Sequence, residues 1–429
     1  MRQQKLKLVV AVLVALFSLN AYAYDVEVDG IYYNLNTDTK TAEVTTSGKI
    51  NDEYVGQVVI PSSFEKDEIT YTVTSIGVNA FLLCDRLKAL TIPNSVQSIG
   101  DDAFYECTGL TSVTIGSGVI SIGERAFQGC TSLTSLKIPN SVTYIGQYAF
   151  SRCGLTSIKI PGSINTLSIG LFDDCSNLES VTLQNGVTYI DRWAFLGCRS
   201  LTSLIIPNSV QSIGDGGFGN CTGLTSVIFL NSNIGIGDSA FSGCSGLKSI
   251  TIPNGATFLG SYAFAYCSGL TSVTIGKSVQ RIGSSAFMNC SGLASVTIGK
   301  SVKFIADYAF EGCSGLTDVY CYAATIPQSD WHSYSAADWF DGSNIEYATL
   351  HVPAESIELY KSAEPWSKFG TIMALTDEEL IAEIENVIAD DGKTTEKIYS
   401  IDGKSISTLQ KGVNVIRMKD GKTKKVFVK

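Results

Sequence analysis

The chain has 429 residues with 41 acidic and 31 basic side chains, and 45% of its residues are hydrophobic while 17% are charged. This composition excludes a disordered chain, because it can bury a large core. The net charge of −10 argues against nucleic acid as a partner, since phosphate binding needs a basic surface. Only two histidines are present, His332 and His351, which leaves little material for a metal centre or a histidine base. The composition therefore disfavours enzyme chemistry.

The N-terminal segment, from Met1 to Ala23, has the order of a secretory signal peptide. Three basic residues precede an apolar run at residues 8–17, and Ala21-Tyr22-Ala23 offers a small-x-small cleavage site. The alternative is a membrane anchor, but ten apolar residues are too few to span the hydrocarbon of a bilayer. We therefore expect cleavage after Ala23 and an exported mature chain with a charge of −13, either soluble or held on a surface by another element.

Residues 24–70 alternate between apolar and polar side chains, as in Ile31-Tyr32-Tyr33 and around Val58-Val59-Ile60-Pro61. This alternation predicts strands. Because an open end of a repeat protein exposes its core, these strands are expected to form an N-terminal β cap.

Residues 71–321 contain a regular internal repeat. A phenylalanine stands three residues before each repeat cysteine, and a leucine stands three residues after each of them except Cys153, which Leu155 follows by two. The step from Cys153 to Cys175 is accordingly one residue shorter than every other step. A period of about 20–29 residues with L-x-x-L-x-L spacing is typical of a leucine-rich-repeat solenoid. The repeat cysteines are Cys84, Cys107, Cys130, Cys153, Cys175, Cys198, Cys221, Cys244, Cys267, Cys290 and Cys313.

The unit at residues 133–153 shows how each coil is expected to fold. Leu133, Leu136 and Ile138 fit the inward side of a short strand, with Ser135 and Lys137 facing out. Proline or glycine then turns the chain, and the Ala-Phe-x-x-Cys segment fits one helical turn that packs inward. The sequence therefore predicts an α/β fold: a curved solenoid of about eleven units with a parallel sheet on one face and short helical turns on the other.

The cysteines allow two interpretations. Export permits disulfides, and stacked coils bring neighbouring α-carbons to about 5 Å, which is within bridging range. Equivalent positions point in the same direction, however, and eleven is an odd number. We therefore favour buried free thiols that act as small apolar groups, with Cys321 in the core as well.

After the repeat, residues 322–375 gain aromatic side chains and are expected to form a C-terminal cap that closes on a strand at residues 348–353. The alternative is that these aromatics form a ligand shelf. His351 alternates with Leu350 and Val352 on the expected strand, which favours a solvent-facing histidine without a functional role. The aromatics are Trp331, Trp339, Phe340, Trp366 and Phe369.

The last two segments differ in charge. Residues 376–392 start with a capping-box pattern at Thr376–Glu379 and continue as an acidic amphipathic helix or linker. Residues 393–429 hold ten basic and three acidic residues, which leaves residues 24–392 with a charge of −20. A basic patch suggests nucleic acid or lipid, but three strand-like pieces joined by Asp402-Gly403 and Asp420-Gly421 favour a small β module.

The repeat resembles the BspA-like branch of leucine-rich-repeat proteins, on the strength of its proline after the strand and its Ile-Gly, Ala-Phe and Cys landmarks. The flanking segments Gly30-Ile-Tyr-Tyr33 and Leu350-His-Val-Pro353 are similar to that family as well. The resemblance implies an exported surface protein of Bacteroides-type bacteria, and some members of the family adhere to host matrix proteins or to other bacteria. The tail, with Ile398-Tyr399 and its closing Lys425-Val-Phe-Val-Lys429, resembles type IX secretion sorting domains, although Asn414 stands where an aromatic is more usual.

A ligand is expected on the outer surface of the parallel sheet, here called the ribbon face, because its outward side chains take no part in core packing. One outward column is nearly all serine, including Ser203 and Ser226. The second column is mainly threonine, which suits an exposed strand, but it is interrupted by Lys137 and Lys159 and then by Ile205 and Ile228. We hypothesise that these six residues form a contact patch that is cationic at one side and apolar at the other. The alternative is neutral variation on a tolerant surface.

Three classes of function remain open. The leading hypothesis is a non-enzymatic recognition or adhesion scaffold, monomeric and without cofactor or metal, that binds an extracellular protein or glycan. The second is a structural surface repeat protein without a dedicated ligand. The third is an enzyme, for which the sequence offers no nucleophile with a base, no phosphate loop and no metal spacing.

Overall fold

In the computed structural model, the described residues are 24–48, 54–329, 339–376 and 379, together with the backbone of four strands between residues 395 and 428. The predicted signal peptide, Trp331, His332, most of the predicted acidic helix and both Asp-Gly turns lie outside these residues. The chain divides into two compact units, which are described separately: unit 1 comprises residues 1–204 and 217–222, and unit 2 comprises residues 205–216 and 223–429.

The strands of unit 1 comprise cap strands, longer ribbon strands and two-residue strands at the opposite corner of each coil. In chain order they are β1 (Val26–Val28), β2 (Ile31–Asn36), β3 (Thr41–Thr45), β4 (Gly56–Val59), β5 (Ser63–Lys66), β6 (Ile69–Ile76), β7 (Leu87–Thr91), β8 (Ser98–Ile99), β9 (Ser112–Thr114), β10 (Ser121–Ile122), β11 (Tyr144–Ile145), β12 (Ser157–Ile160), β13 (Thr166–Leu167), β14 (Ser180–Leu183) and β15 (Tyr189–Ile190), followed at the boundary by β16 (Ser203–Ile206).

Successive coils of unit 1 add strands to parallel sheets on two sides of the stack. Strands β4, β7 and β9 pair in parallel, as do β6, β8, β10 and β11. The register joins equivalent residues of successive coils, so Leu90 lies beside Val113 and Ile99 beside Ile122. Side chains alternate between the interior and solvent along these strands, as the period-2 rule requires. The stacked parallel coils that the repeat spacing predicts are therefore confirmed.

The Ala-Phe-x-x-Cys segment consists of consecutive turns rather than a regular helical turn. In most coils a residue just before the alanine or just before the cysteine has positive φ, for example Tyr148 at 55° and Arg152 at 58°. A left-handed residue ends an α-helical turn, because it reverses the backbone curvature. Alternate backbone N–H groups of this segment donate to the next coil, as Phe104 does to Ala126 at 2.7 Å. Those between them donate within their own coil, as Cys107 does to Phe104 at 3.1 Å. The turns thus add a third side to the stack.

The interior of unit 1 is a continuous ladder of aromatic rings. Seven phenylalanines of successive coils stack with centroid distances of 4.8–5.6 Å and interplanar angles of 20° or less. Offset stacking of this kind adds to the hydrophobic stabilisation from burial. The ladder consists of Phe81, Phe104, Phe127, Phe150, Phe172, Phe195 and Phe218, all fully buried.

The cysteines form a second ladder that links each coil to its neighbour. All twelve are free and buried. In nine coils the thiol donates to the carbonyl of the phenylalanine of the preceding coil, for example Cys107 Sγ to Phe81 O at 2.9 Å. The thiol therefore does more than a small apolar group, because it adds a hydrogen bond from the next coil to a carbonyl that already accepts the cysteine N–H of its own coil.

Unit 2 repeats this arrangement, and its ribbon is a six-stranded sheet in the order β20, β22, β24, β26, β28, β29. Its strands are β17 (Ser212–Ile213), β18 (Ser226–Phe229), β19 (Gly235–Ile236), β20 (Ser249–Thr251), β21 (Phe258–Leu259), β22 (Ser272–Thr274), β23 (Arg281–Ile282), β24 (Ser295–Ile298), β25 (Phe304–Ile305), β26 (Asp318–Cys321), β27 (Gln328–Ser329), β28 (Thr349–Val352), β29 (Thr371–Ala374), β30 (Thr395–Ser400), β31 (Ser405–Ile406), β32 (Gly412–Met418) and β33 (Thr423–Val428); its helices are α1 (Ile357–Lys361) and the 3-10 turns Ile345–Tyr347, Ala354–Ser356 and Trp366–Lys368.

Each unit closes its aromatic ladder with a ring from a cap. In unit 1 the ring of Tyr54 packs on Phe81 at 4.3 Å, and in unit 2 the ring of Phe340 stacks on Phe310 at 5.3 Å. Trp339 and Trp366 lie behind Phe340 and are almost completely buried. These described aromatics therefore cover the core and do not form a ligand shelf.

The prediction that His351 faces solvent is wrong. His351 is 8% exposed, its Nε2 lies 3.0 Å from Asp318 Oδ1, and its ring stacks on Tyr320 at 4.4 Å. Glu379 lies 3.6 Å from Nδ1 on the other side. Strand alternation correctly puts the His351 side chain on the outer face of its strand. The side chains of Tyr320 and Glu379 cover that face, however, so the histidine is shielded from solvent.

The tail strands form an antiparallel sheet in the order β31, β30, β32, β33. Before it, Thr376 and Glu379 make the reciprocal contacts of a capping box, with the Glu379 N–H donating to Thr376 Oγ1 at 3.2 Å. Within the described residues, no helix has the length and apolar character needed to cross a bilayer.

Candidate functional site

The residues predicted to form the contact patch are all exposed, and they belong to two units. Lys137, Lys159 and Ser203 are in unit 1, whereas Ile205, Ser226 and Ile228 are in unit 2. Strand alternation accounts for their exposure, because the neighbouring residues Ile158 and Ile206 point into the core. The two groups are therefore treated as two surfaces.

The surface of unit 1 contains a break in the ribbon. The representative unit at residues 133–138 was expected to form a strand, but it makes only one bridge, between Ser135 and Ser157. Among the described residues, no strand pairing joins it to β9. Val113 of β9 is consequently half-buried, whereas Leu90 beside it is buried. The expectation of an uninterrupted ribbon is wrong at this coil.

The break lies next to the shortened repeat. Before it, Thr111 donates its N–H to the carbonyl of Lys88, a sequence separation of 23, whereas after it Thr156 donates its N–H to the carbonyl of Thr134, a separation of 22. All four residues directly follow a repeat leucine, so both hydrogen bonds join equivalent positions. The missing residue near Gly154 therefore changes the numbering but does not shift the register between the coils. Among the described strands, ribbon pairing also stops between β14 and β16 and between β18 and β20, where the spacing is the regular 23 residues. The shortened repeat therefore does not account for the missing strand.

The break opens a groove of 700 Å³ along the outward face of unit 1. Its walls carry the ammonium groups of Lys137 and Lys159 together with serine hydroxyls, Asn140 and Gln184, and no acidic residue is among the side chains that line it. A second depression of 550 Å³ shares Lys137 and Asn140 and extends along β9. The groove offers hydrogen-bond donors, two positive charges and unpaired strand edges, so it suits an extended segment with acidic or carbonyl groups.

The surface of unit 2 is apolar. Ile205 and Ile228 are 55% and 53% exposed, and Leu230 beside them is 52% exposed. The Leu230 N–H donates to the carbonyl of Ile206 at 2.9 Å, which fixes Leu230 against the strand of the preceding coil. Leu230 was missed from the sequence, although it stands where most units have proline or glycine after the strand. Exposed apolar clusters of this kind mark contact surfaces.

The turn side of unit 1 carries partly buried charges. Arg125 Nη2 pairs with Asp102 Oδ2 at 2.9 Å, and Arg152 Nη1 with Glu106 Oε1 at 3.4 Å. Burial raises the pKa of Asp173 to about 6, with the neighbouring Asp174 adding to the rise and Arg152 opposing it. Acidic and basic side chains are interspersed along this side of the stack. Their charges therefore offset one another and do not produce a patch of one sign.

Burial lowers the reactivity of the thiols. Burial raises the pKa of Cys107, Cys198 and Cys313 well above the ordinary thiol value, so the reactive thiolate is suppressed. In the part of the chain that the structure describes, no group of three or more His, Cys, Asp or Glu side chains is placed to hold a metal ion.

Comparison with known proteins gives a consistent result. The chain matches the BspA-type leucine-rich repeat region over residues 61–179, 98–223 and 188–317. A leucine-rich-repeat protein from Bacteroides ovatus is 26% identical, with a TM-score of 0.56 over 82% of this chain and 100% of that one. A leucine-rich cell surface protein from Faecalibacterium prausnitzii is 27% identical, with a TM-score of 0.55 over 86% of this chain and 98% of that one. No curated protein matches the chain significantly.

Proposed function

Because the chain belongs to the family of BspA-type leucine-rich-repeat proteins, we propose that it is an exported, non-enzymatic recognition scaffold that binds extracellular macromolecules on the outside of a bacterial cell. The predicted signal peptide and the similarity to a cell surface protein of F. prausnitzii support this location. The non-enzymatic role is supported by the buried thiols and by the distribution of polar groups along open surfaces.

The observation that carries the proposal is the groove of unit 1. A stack of coils needs only inward residues for its stability, so the unpaired strand edges and the two adjacent lysines of the groove are free to contact a partner. The groove admits an extended segment of a partner protein by strand addition, with the lysines pairing acidic side chains. The apolar surface of Ile205, Ile228 and Leu230 supplies a second contact of different chemistry.

A binding screen with the mature full-length chain tests this function. Surface-immobilised protein is exposed to purified extracellular matrix proteins, and Kd is measured for each. For a ligand that binds, K137Q/K159Q and I205T/I228T are each expected to weaken Kd about tenfold or more. The matched control is K88Q/R199Q, which removes two exposed charges from unit 1 outside the groove and should change Kd less than about twofold.

Two results would count against the proposal. Absence of binding to every matrix protein favours the alternative, a structural surface repeat protein without a dedicated ligand. Binding that survives both double variants removes these surfaces as the contact, even if the scaffold function stands.

We further propose that the tail from residue 393 acts as a sorting module read by type IX secretion. Its antiparallel sheet and its basic charge support this assignment. In a bacterium with that export system, a chain truncated at residue 392 is expected to remain in the periplasm while the full chain reaches the cell surface. Equal surface display of both forms would contradict the assignment.

A further inference from the structure

One segment of unit 2 has a charge opposite to that of the rest of the molecule. Between Asp238 and Asp307 the chain contains five basic residues and no acidic one. Residues 24–392 as a whole carry a charge of −20, so this stretch is a local positive region. Four of the five basic residues fall in two neighbouring coils: Lys277, Arg281, Lys300 and Lys303.

These basic residues lie beside aromatic rings on the short-strand side of the stack. Phe258, Arg281 and Phe304 occupy equivalent positions of three consecutive coils and are joined by the register of β21, β23 and β25. The inward neighbours of these residues are fully buried, so the three outward side chains form one row. Phe258 is 42% exposed.

Two further exposed aromatics, four residues further along their coils, stand at the start of the turn side of the stack. Tyr262 and Tyr308 are 43% and 40% exposed, and Ser285 between them is buried. Adjacent strands are about 4.8 Å apart, so the aromatics of alternate coils are about 10 Å apart. The row on β21, β23 and β25 therefore presents two aromatic rings with a guanidinium between them.

The ammonium groups border this surface. Lys303 directly precedes Phe304, and its backbone N–H donates to the carbonyl of Gln280 at 2.8 Å, beside Arg281. Lys277 and Lys300 occupy the same position in the turns that lead into β23 and β25. The carboxylate that follows in sequence, that of Asp307, keeps its Oδ1 atom buried. The basic-aromatic face consists of six residues: Phe258, Lys277, Arg281, Lys300, Lys303 and Phe304.

We propose that the basic-aromatic face binds an acidic polysaccharide. Charge complementarity requires a polyanion, because several cations in a segment that contains no acid attract and concentrate one. Exposed aromatic rings stack on the apolar faces of sugar rings. The separation of Phe258 and Phe304, about 10 Å over two coils, matches a repeating disaccharide. The choice of a polysaccharide over other polyanions rests on the proposed export of the chain, which places the face outside the cell. This site is separate from the groove of unit 1.

The test measures binding of the mature full-length protein to heparin, hyaluronan and neutral dextran over a range of salt concentrations. Heparin carries sulfates and hyaluronan only carboxylates, so the two probes identify the anionic group, and dextran is expected not to bind. R281Q/K303Q should weaken binding about tenfold and flatten the dependence of log K on log salt. F258A/F304A should also weaken binding but leave the salt dependence unchanged, since stacking releases no counterions.

Three outcomes would overturn the proposal. One is an equal loss of binding in K88Q/R199Q, which would indicate diffuse attraction to positive charge. Another is binding that neither double variant weakens, given that both variants retain the wild-type circular dichroism spectrum and melting temperature. The third is single-stranded DNA binding as tightly as heparin at the same salt, which would assign the face to nucleic acid.

The same measurements separate this proposal from the proposed function. K137Q/K159Q should leave heparin binding unchanged, and R281Q/K303Q should leave binding of a matrix protein at the groove unchanged. Loss of one activity without the other shows which proposal fails.

Discussion

The buried ladders and the outward ribbon columns contrast strongly, although both are built from the same repeat. At the phenylalanine position the eleven coils have one residue type, and at the cysteine position they also have one. At the second outward column the same coils have threonine, lysine, isoleucine and tyrosine. The first set of positions touches both the coil before and the coil after, whereas the second touches mainly solvent.

The contrast shows that stacking restricts a residue from two sides at once. A phenylalanine such as Phe195 must fit the rings of Phe172 and Phe218, at 5.2 Å and 5.0 Å, and so must each of its equivalents. The ribbon column needs only β-compatible side chains. Variation on the ribbon is therefore available for recognition, and four predictions test this division.

The largest effect is expected for thiol reactivity. In native buffer all twelve cysteines should react with a thiol reagent about a thousandfold or more slowly than in guanidinium chloride, because each reaction requires opening of the stack. The count of reactive thiols after denaturation without reductant should be twelve. A lower count would show disulfides, and fast labelling of several native thiols would show that the ladder is accessible.

The next largest effect is expected for Phe195→Ala. The substitution leaves a cavity between two stacked rings, and we expect a loss of about 3–5 kcal/mol in the free energy of unfolding. Urea denaturation followed by circular dichroism measures this loss. Tyr144→Ala is the matched control, since Tyr144 is 57% exposed on a two-residue strand, and it should cost less than about 1 kcal/mol. An equal loss in the free energy of unfolding for both variants would contradict the division between restricted interior positions and tolerant surface positions.

A smaller effect is expected for Asp173→Asn. Because the folded-state pKa of about 6 lies above the ordinary aspartate value, the native state binds the proton more tightly, and stability gained by protonation increases as the pH falls through about 6. At pH above 7 the asparagine variant should therefore be more stable than the wild type, by about 1 kcal/mol after solvent screening.

Thermal denaturation as a function of pH checks this sign. The advantage of Asp173→Asn should shrink towards zero as the pH is lowered to the ordinary aspartate range. A variant less stable than the wild type at high pH would show that the carboxylate stabilises the fold.

The smallest effect is expected for Ile205→Thr, which replaces one β-branched residue with another on the exposed column. The free energy of unfolding should change by less than about 0.5 kcal/mol. Ile206→Thr, one residue further and fully buried, should cost several times more, because it buries a hydroxyl and removes apolar volume. Similar costs at both positions would place Ile205 in the core.

The sequence period was sufficient to predict the stacked coils, because every landmark of the repeat has a packing role that neighbours alone can satisfy. Phe150, Cys153 and Leu155 are all buried as their spacing predicts. The backbone conformation between the alanine and the cysteine was harder to predict, because an i, i+4 spacing of buried residues fits a helical turn as well as the observed turns. Left-handed residues such as Tyr148 decide between them, and nothing in that residue type indicates positive φ.

Some surface features could not be predicted from local sequence patterns, because they depend on contacts between residues that are distant in the chain. His351 follows the outward alternation, yet Asp318, Tyr320 and Glu379 surround it from other parts of the chain. The missing strand at Ser135 has no local signal either, since Leu133, Leu136 and Ile138 fit the pattern of a strand. The basic-aromatic face, in contrast, had a local signal: the absence of acidic residues between Asp238 and Asp307 in an acidic chain.

The closure of each ladder by a single aromatic ring has an evolutionary consequence. Tyr54 and Phe340 each meet the ring of a repeat phenylalanine, and any coil of the array presents the same ring to its neighbour. Duplication or deletion of the gene segment that encodes one coil would thus preserve both junctions. Unequal recombination can change the number of coils, and with it the available recognition area, without a new cap having to arise.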